Sequence, residues 1–233
     1  MFSFPRELQN LVLREFSSVD RHRFSLVNKK ARELVLGHNE RSFRIRQFLL
    51  RFFGALANVA RFRILQYELG LLVSGSTALQ FFFDDLDTYV ELIKFRPYAD
   101  FLLEIGYVFD PIQGQPKDFE DALAAALNAE RPHADQDDDF AWEGYRGNGM
   151  AEVFNFQKSD KKVQVITCVQ TPIEVILNFH STCVMNVISH SHGYSLFPRA
   201  TFEDRVSLHT PTFATVKDKH KHARENMPDM DGP

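Results

Sequence analysis

Eight residues separate the turn Gly75-Ser76 from a pair of aspartates, Asp85 and Asp87. Chemistry can use that arrangement. A Gly-Ser turn at a helix N-terminus offers backbone N–H groups and a hydroxyl to phosphate oxygens. Two carboxylates one residue apart on a strand point to the same face, so both can hold Mg²⁺. The metal then organises a nucleoside triphosphate for in-line transfer. By spacing alone, a glycine turn followed by two solvent-facing aspartates is the simpler reading. The histidines offer less. His180-x-x-Cys183 and His190-x-His192 contain ligand types, but no four-ligand spacing emerges. His180 lies on an apolar stretch, where a satisfied core histidine is the expected role. The chain contains no GxSxG, P-loop or GxGxxG, which removes support for hydrolase-elbow, P-loop and Rossmann chemistry.

The elements around the aspartates read as alternating strands and helices. Leu71-Leu72-Val73 before Ser74-Gly75-Ser76 predicts a buried strand feeding a tight turn, and Thr77 to Phe83 a helix. Leu86, Thr88 and Val90 alternate with Asp87, Tyr89 and Glu91, which is the strand period. Helices are expected over Pro97 to Ile105, Phe119 to Leu127 and from Thr171-Pro172 through Phe179. Strands are expected over Gly106 to Phe109, Ala151 to Phe156, Lys162 to Val169 and Cys183 to Ile188. Residues 118–139 hold eight acids and one arginine, and Asp135 to Asp139 reads as a solvated, mobile loop. From Val216 onward the chain is almost all charge, His, Pro and Met, which predicts disorder. The pattern predicts an α+β, α/β-like fold: a helical N-terminal module followed by a small mixed sheet flanked by helices.

The first residues read differently. Pro5 stands near a helix start, and Leu8, Leu11, Val12 and Phe16 follow at helical spacing. Ser17-Ser18-Val19-Asp20 is a turn with N-cap candidates. A second helix is expected through Phe24, Leu26, Val27, Ala31, Leu34 and Val35, with Gly37 as its C-cap. Two more helices fit residues 40–68, one lined by Phe48, Leu49, Phe52 and Phe53.

Composition bounds the class. Of 30 aromatic residues 23 are Phe, enough to build a substantial core and to exclude wholesale disorder. No apolar run reaches the length of a membrane span, and Arg6 and Glu7 fall where a signal peptide needs an unbroken apolar segment. Two cysteines without a CxxC make a disulfide framework or a cysteine-built zinc site an unfavoured reading. The expected location is intracellular, in cytoplasm or nucleus. Residues 1–63 carry 13 basic against 5 acidic residues, while the remainder carries a net −12. That split indicates two units with different surfaces.

The run from Leu72 through Gly75-Ser76 to Phe82, followed by Asp85 to Val90, resembles the nucleotidyltransferase superfamily. More narrowly, it looks like an expanded fungal group with nucleotidyltransferase-like domains. The runs Thr171 to Asn186 and Ser195 to Phe202 look like that group too. The resemblance covers roughly residues 45–205. It implies nucleotide binding at Gly75 and Ser76, with catalysis and Mg²⁺ ligation at Asp85 and Asp87 and a third acid on the neighbouring strand. Gln164 stands where that third acid is expected. A neutral amide neither balances metal charge nor acts as a base. The resemblance thus implies a degenerate domain that binds nucleotide or client and holds Mg²⁺ weakly. The alternative is an active Mg²⁺-dependent enzyme transferring a nucleotide to protein or RNA, with Glu152 as the substitute acid.

Residues 2–37 look like an F-box, carried by Phe4-Pro5-Arg6-Glu7-Leu8, Asp20, Phe24 to Lys29 and Ala31-Arg32. The known partner of that module is the Skp1-type adaptor of ubiquitin ligases. Phe4, Pro5, Leu8, Val12 and Phe16 are the expected partner-binding residues. The expected organisation is an F-box-like module at 1–40, connecting helices at 41–67, a nucleotidyltransferase-like domain at 68–210 and a tail at 211–233. The leading functional expectation is a ubiquitin ligase adaptor. Nucleic-acid binding through the basic helices ranks below it.

Overall fold

The structure, a computed structural model, describes residues 4–42, 45–75, 78, 85–129 and 149–210. The expected helix over Thr77 to Phe83, apart from Ala78, lies outside them, as do Ser76, Asp135 to Asp139 and the tail from 211.

Three helices open the chain: α1 (Arg6–Glu15), α2 (Ser18–Ser25) and α3 (Lys29–Ser42). Ser17 caps α2 by accepting from the Asp20 N–H at 3.0 Å. The single helix expected from Phe24 to Gly37 is two. Asn28 Oδ1 accepts from the Ala31 N–H at 2.9 Å and starts α3 afresh, because an Asn cap satisfies a first-turn donor that a continuous helix would not leave open. Gly37 then sits inside α3 rather than ending it. Leu13, Ala31 and Val35 are buried, and Phe16 meets Phe24 edge-on at 5.9 Å. Arg21 donates to the carbonyls of Leu13 and Phe16, covering the C-terminal end of α1 with a cation.

Helices α4 (Ile45–Phe53) and α5 (Leu56–Leu69) follow, broken by Gly54 and ended by Gly70. Both glycines take positive φ, +74° and +66°, as a left-handed helix end requires. Phe53 lies 4.6 Å from Phe62 and 5.5 Å from Phe101, ring to ring.

Seven strands then form one mixed sheet among the described residues: β1 (Leu72–Val73), β2 (Asp85–Glu91), β3 (Val108–Asp110), β4 (Met150–Lys158), β5 (Lys161–Cys168), β6 (Asn186–Ile188) and β7 (Gly193–Ser195). Their order is β3-β4-β5-β2-β1-β6-β7. The β2–β5 pair is parallel and the other pairs are antiparallel. Alternation divides the two faces. Leu86, Val90, Val163, Val165, Phe154 and Phe156 meet α4, α5, α6 (Arg96–Glu104) and α7 (Phe119–Asn128) in the main core. Tyr89, Ile166 and Cys168 face the other way, against α8 (Pro172–Leu177) and Phe179. The Phe-lined helices α4 and α5 therefore belong to the sheet's own core. Of the strand expected over Cys183 to Ile188, only Asn186–Ile188 is extended; Thr182–Val184 is a 3₁₀ turn.

Candidate functional site

The aspartates lie where β2 begins, on the face that α8 covers further along. Asp87 is paired in register with Gln164, and Asp85 with Lys162, across the parallel β2–β5 ladder. Register partners in adjacent strands share a face. Gln164 is in turn paired with Asn155 on β4, and its Nε2 donates to Asn155 Oδ1 at 3.0 Å. The face therefore presents Asp85, Asp87, Lys162, Gln164 and Asn155 together. Lys162 was not singled out from the sequence, because the pairing of β2 with β5 joins segments more than 70 residues apart.

The turn after β1 reaches the same corner. The Ser74 N–H donates to the Asp87 carbonyl at 3.3 Å, and the buried Ser74 hydroxyl donates to the Asn186 carbonyl at 2.7 Å. Gly75 takes φ +74°, and a Cβ there would lie 3.1 Å from Asp87 Oδ2. Glycine is what lets the turn approach the carboxylate. The structure thus brings Gly75, Asp85, Asp87 and Gln164 to one corner, while Ser76 lies outside the described residues.

Glu152 is not part of that corner. It pairs with Thr167, whose side chain is on the opposite face from Gln164, and its backbone N–H meets Thr167 Oγ1 at 3.0 Å. Among the described residues, no group of three or more His, Cys, Asp and Glu gathers to hold a metal ion. Two carboxylates beside an amide and a lysine leave a Mg²⁺ centre one acid short and add positive charge at its edge. A resident magnesium does not fit this donor set well.

The second surface is on α1. Leu13 and Gln9 turn inward, the latter donating to the Phe4 carbonyl at 2.7 Å. Phe4, Leu8 and Leu11 are 47%, 48% and 54% exposed. Pro5 is exposed beside them, and Val12 is half-buried at the edge of that face. Phe16, also half-buried, instead closes the corner with Phe24. Leu26 and Val27, in the turn between α2 and α3, are 71% and 67% exposed. These two apolar turn residues were read from the sequence as helix interior, and only the break at Asn28 turns them outward.

Residues 1–43 match the family model for the F-box domain. The three N-terminal helices are thus an F-box domain. No curated protein and no solved structure matches the chain, so the nucleotidyltransferase resemblance of the sheet domain gains no support from relatives. No helix among the described residues is long and apolar enough to cross a membrane.

Proposed function

We propose that this chain is a substrate adaptor of an SCF-type ubiquitin ligase, working in cytoplasm or nucleus. Its F-box domain docks on a Skp1-type protein, and its sheet domain presents a client. The carrying observation is the F-box match at residues 1–43, and the exposed apolar face of Phe4, Leu8 and Leu11 supports it. Exposed apolar side chains grouped on one helix face fit a helical partner's groove, with Leu and Phe anchors spaced a turn apart. The test is co-purification of the full chain with a Skp1-type protein, comparing wild type with Leu8→Asp. A carboxylate buried in an apolar interface is expected to weaken capture at least about tenfold, as for a desolvated unpaired charge. Equal capture of both proteins would defeat this interface.

A second role is favoured by Gly75 standing against Asp87 in one turn. In this reading the corner binds a nucleotide weakly, with Mg²⁺ if any brought by the phosphates, and does not turn it over. Gln164 beside Asp87 supports the non-catalytic form over an active nucleotidyltransferase, since an amide supplies neither charge nor base. A transfer assay with the four ribonucleoside triphosphates and Mg²⁺ or Mn²⁺ decides between them. No transfer is expected to protein or RNA. Turnover that disappears in Asp87→Ala would establish the active enzyme. Gln164→Asp is expected to tighten Mn²⁺ binding, and unchanged affinity would mean that residue 164 does not occupy the third ligand position.

A further inference from the structure

We propose that the groove between α4 and α5 is the client-docking surface, and that the segment it takes is an acidic peptide carrying an apolar anchor. This deepens the adaptor reading and rests on it. The groove encloses about 420 Å³, with Ile45, Leu49, Leu56 and Val59 supplying its apolar lining and Arg46 and Arg63 its charge. Leu49 and Val59 form the buried floor, whereas Leu56 is 60% exposed at the rim.

The two arginines differ from their neighbours. Arg61 pairs with Glu104, and Arg96 pairs with Asp100 and Glu120. Among the described residues, neither Arg46 nor Arg63 has a carboxylate partner; Arg63 donates to the neutral amide of Gln66 at 2.7 Å. Arg63 is also half-buried, and burial pulls its pKa below the ordinary value. A desolvated guanidinium held by a neutral partner is satisfied better by a carboxylate, which it binds through two parallel N–H donors. The apolar floor between the cations takes a Leu- or Phe-sized side chain.

Two further features point to an acidic peptide rather than another ligand. Residues 1–63 carry a net charge of +8, which draws an acidic segment from a distance. The lining side chains named are aliphatic or Arg, so single-stranded nucleic acid finds no aromatic platform on which to stack. Only residues 43 and 44 separate α3 from α4, so a client held here is held beside the ligase-docking domain in the chain.

The experiment uses the full chain and a pool of fluorescent peptides, each with two Leu or Phe residues among Asp and Glu. A matched pool carries Asn and Gln instead, and a single-stranded RNA of mixed sequence serves as a third probe. The acidic pool is expected to bind saturably, the amide pool at least about tenfold more weakly, and added salt to weaken the former. Arg46→Glu with Arg63→Glu is expected to cost about tenfold or more, since it replaces attraction by like-charge repulsion. Leu56→Asp, on the exposed rim, should weaken the acidic pool while near-ultraviolet circular dichroism stays native. No saturable binding, equal binding of the two pools, an unchanged affinity in the arginine variant, or RNA binding more tightly through the same arginines would each overturn the proposal. Skp1 capture is measured on the same proteins. Capture without peptide binding defeats the groove alone; peptide binding without capture defeats the adaptor reading and with it the client role.

Discussion

At the scale of single residues, the corner around Asp87 is shaped by what Gly75 lacks. Any side chain there meets Asp87 Oδ2 at 3.1 Å and must adopt φ +74°. Gly75→Ala is therefore expected to destabilise the sheet domain by about 1–3 kcal/mol, the range for a non-glycine residue forced into the left-handed region. Urea unfolding followed by circular dichroism measures it, and an unchanged midpoint would show that the turn relaxes freely. The two cysteines make a second residue-scale contrast. Cys168 is fully buried beneath α8, and burial pushes its thiol up to about 12. Cys183 is partly exposed, and hydrogen bonds from Ser181, 3.2 Å away, and from Ser207 pull its pKa down. Iodoacetamide at pH 8 should alkylate Cys183 in the native protein and reach Cys168 only with denaturant. Because the folded value of Cys168 is raised, its neutral thiol favours the fold below the unfolded thiol pKa. That contribution is lost as pH rises toward about 12, so stability should fall across this window in wild type more than in Cys168→Ala. Prompt labelling of Cys168 in native protein would contradict its burial.

Among the elements, α5 ties the helical layer to the sheet. Phe62 is fully buried, 4.6 Å from the Phe53 ring and 5.7 Å from Tyr98. Phe62→Ala should cost about 3–5 kcal/mol, the usual loss for an aromatic core truncation. Urea titration checks it; a loss below about 1 kcal/mol would mean that the surrounding rings collapse into the space. This layer also shows how far the sequence could be read. The Phe-rich spacing of 48–53 announces a buried helix face, and alternation over 86–91 announces β2, because both signals are local and periodic. The placement of those helices on the sheet, and the registers of Asp87 with Gln164 and Asp85 with Lys162, depend on long-range pairing and leave no local trace. Gly37 fits a helix C-cap because glycine takes the left-handed conformation readily, yet the Asn28 cap and the burial of Ala31 and Val35 carry α3 through it at the modest cost of a mid-helix glycine. On α1, helical spacing picks out Leu8, Val12 and Phe16 as one stripe. The third of these turns inward only because α2 brings Phe24 to it.

Across the whole molecule, the F-box and the sheet domain are built on separate cores. Leu13, Ala31 and Val35 are buried among the first three helices, while the main cluster begins at Phe48 and runs through the sheet to Ile188. One described contact between the two is polar: where α2 meets the π-helical turn Arg199–Asp204, the Ser17 hydroxyl donates to Glu203 Oε1 at 3.0 Å. One hydrogen bond involving a charged group contributes about 1.5–3 kcal/mol at most, small beside a hydrophobic core. The sheet domain should therefore stand without the F-box. Removing residues 1–42 is expected to leave near-ultraviolet circular dichroism intact and to lower the urea midpoint only slightly, while Skp1 capture is lost entirely. Peptide binding at α4 and α5 should survive in strength and keep most of its salt dependence, because residues 1–42, with 8 basic and 5 acidic residues, take away only +3 of the +8 carried by residues 1–63. Loss of tertiary signal in the shortened chain would show instead that α1 to α3 complete the main core.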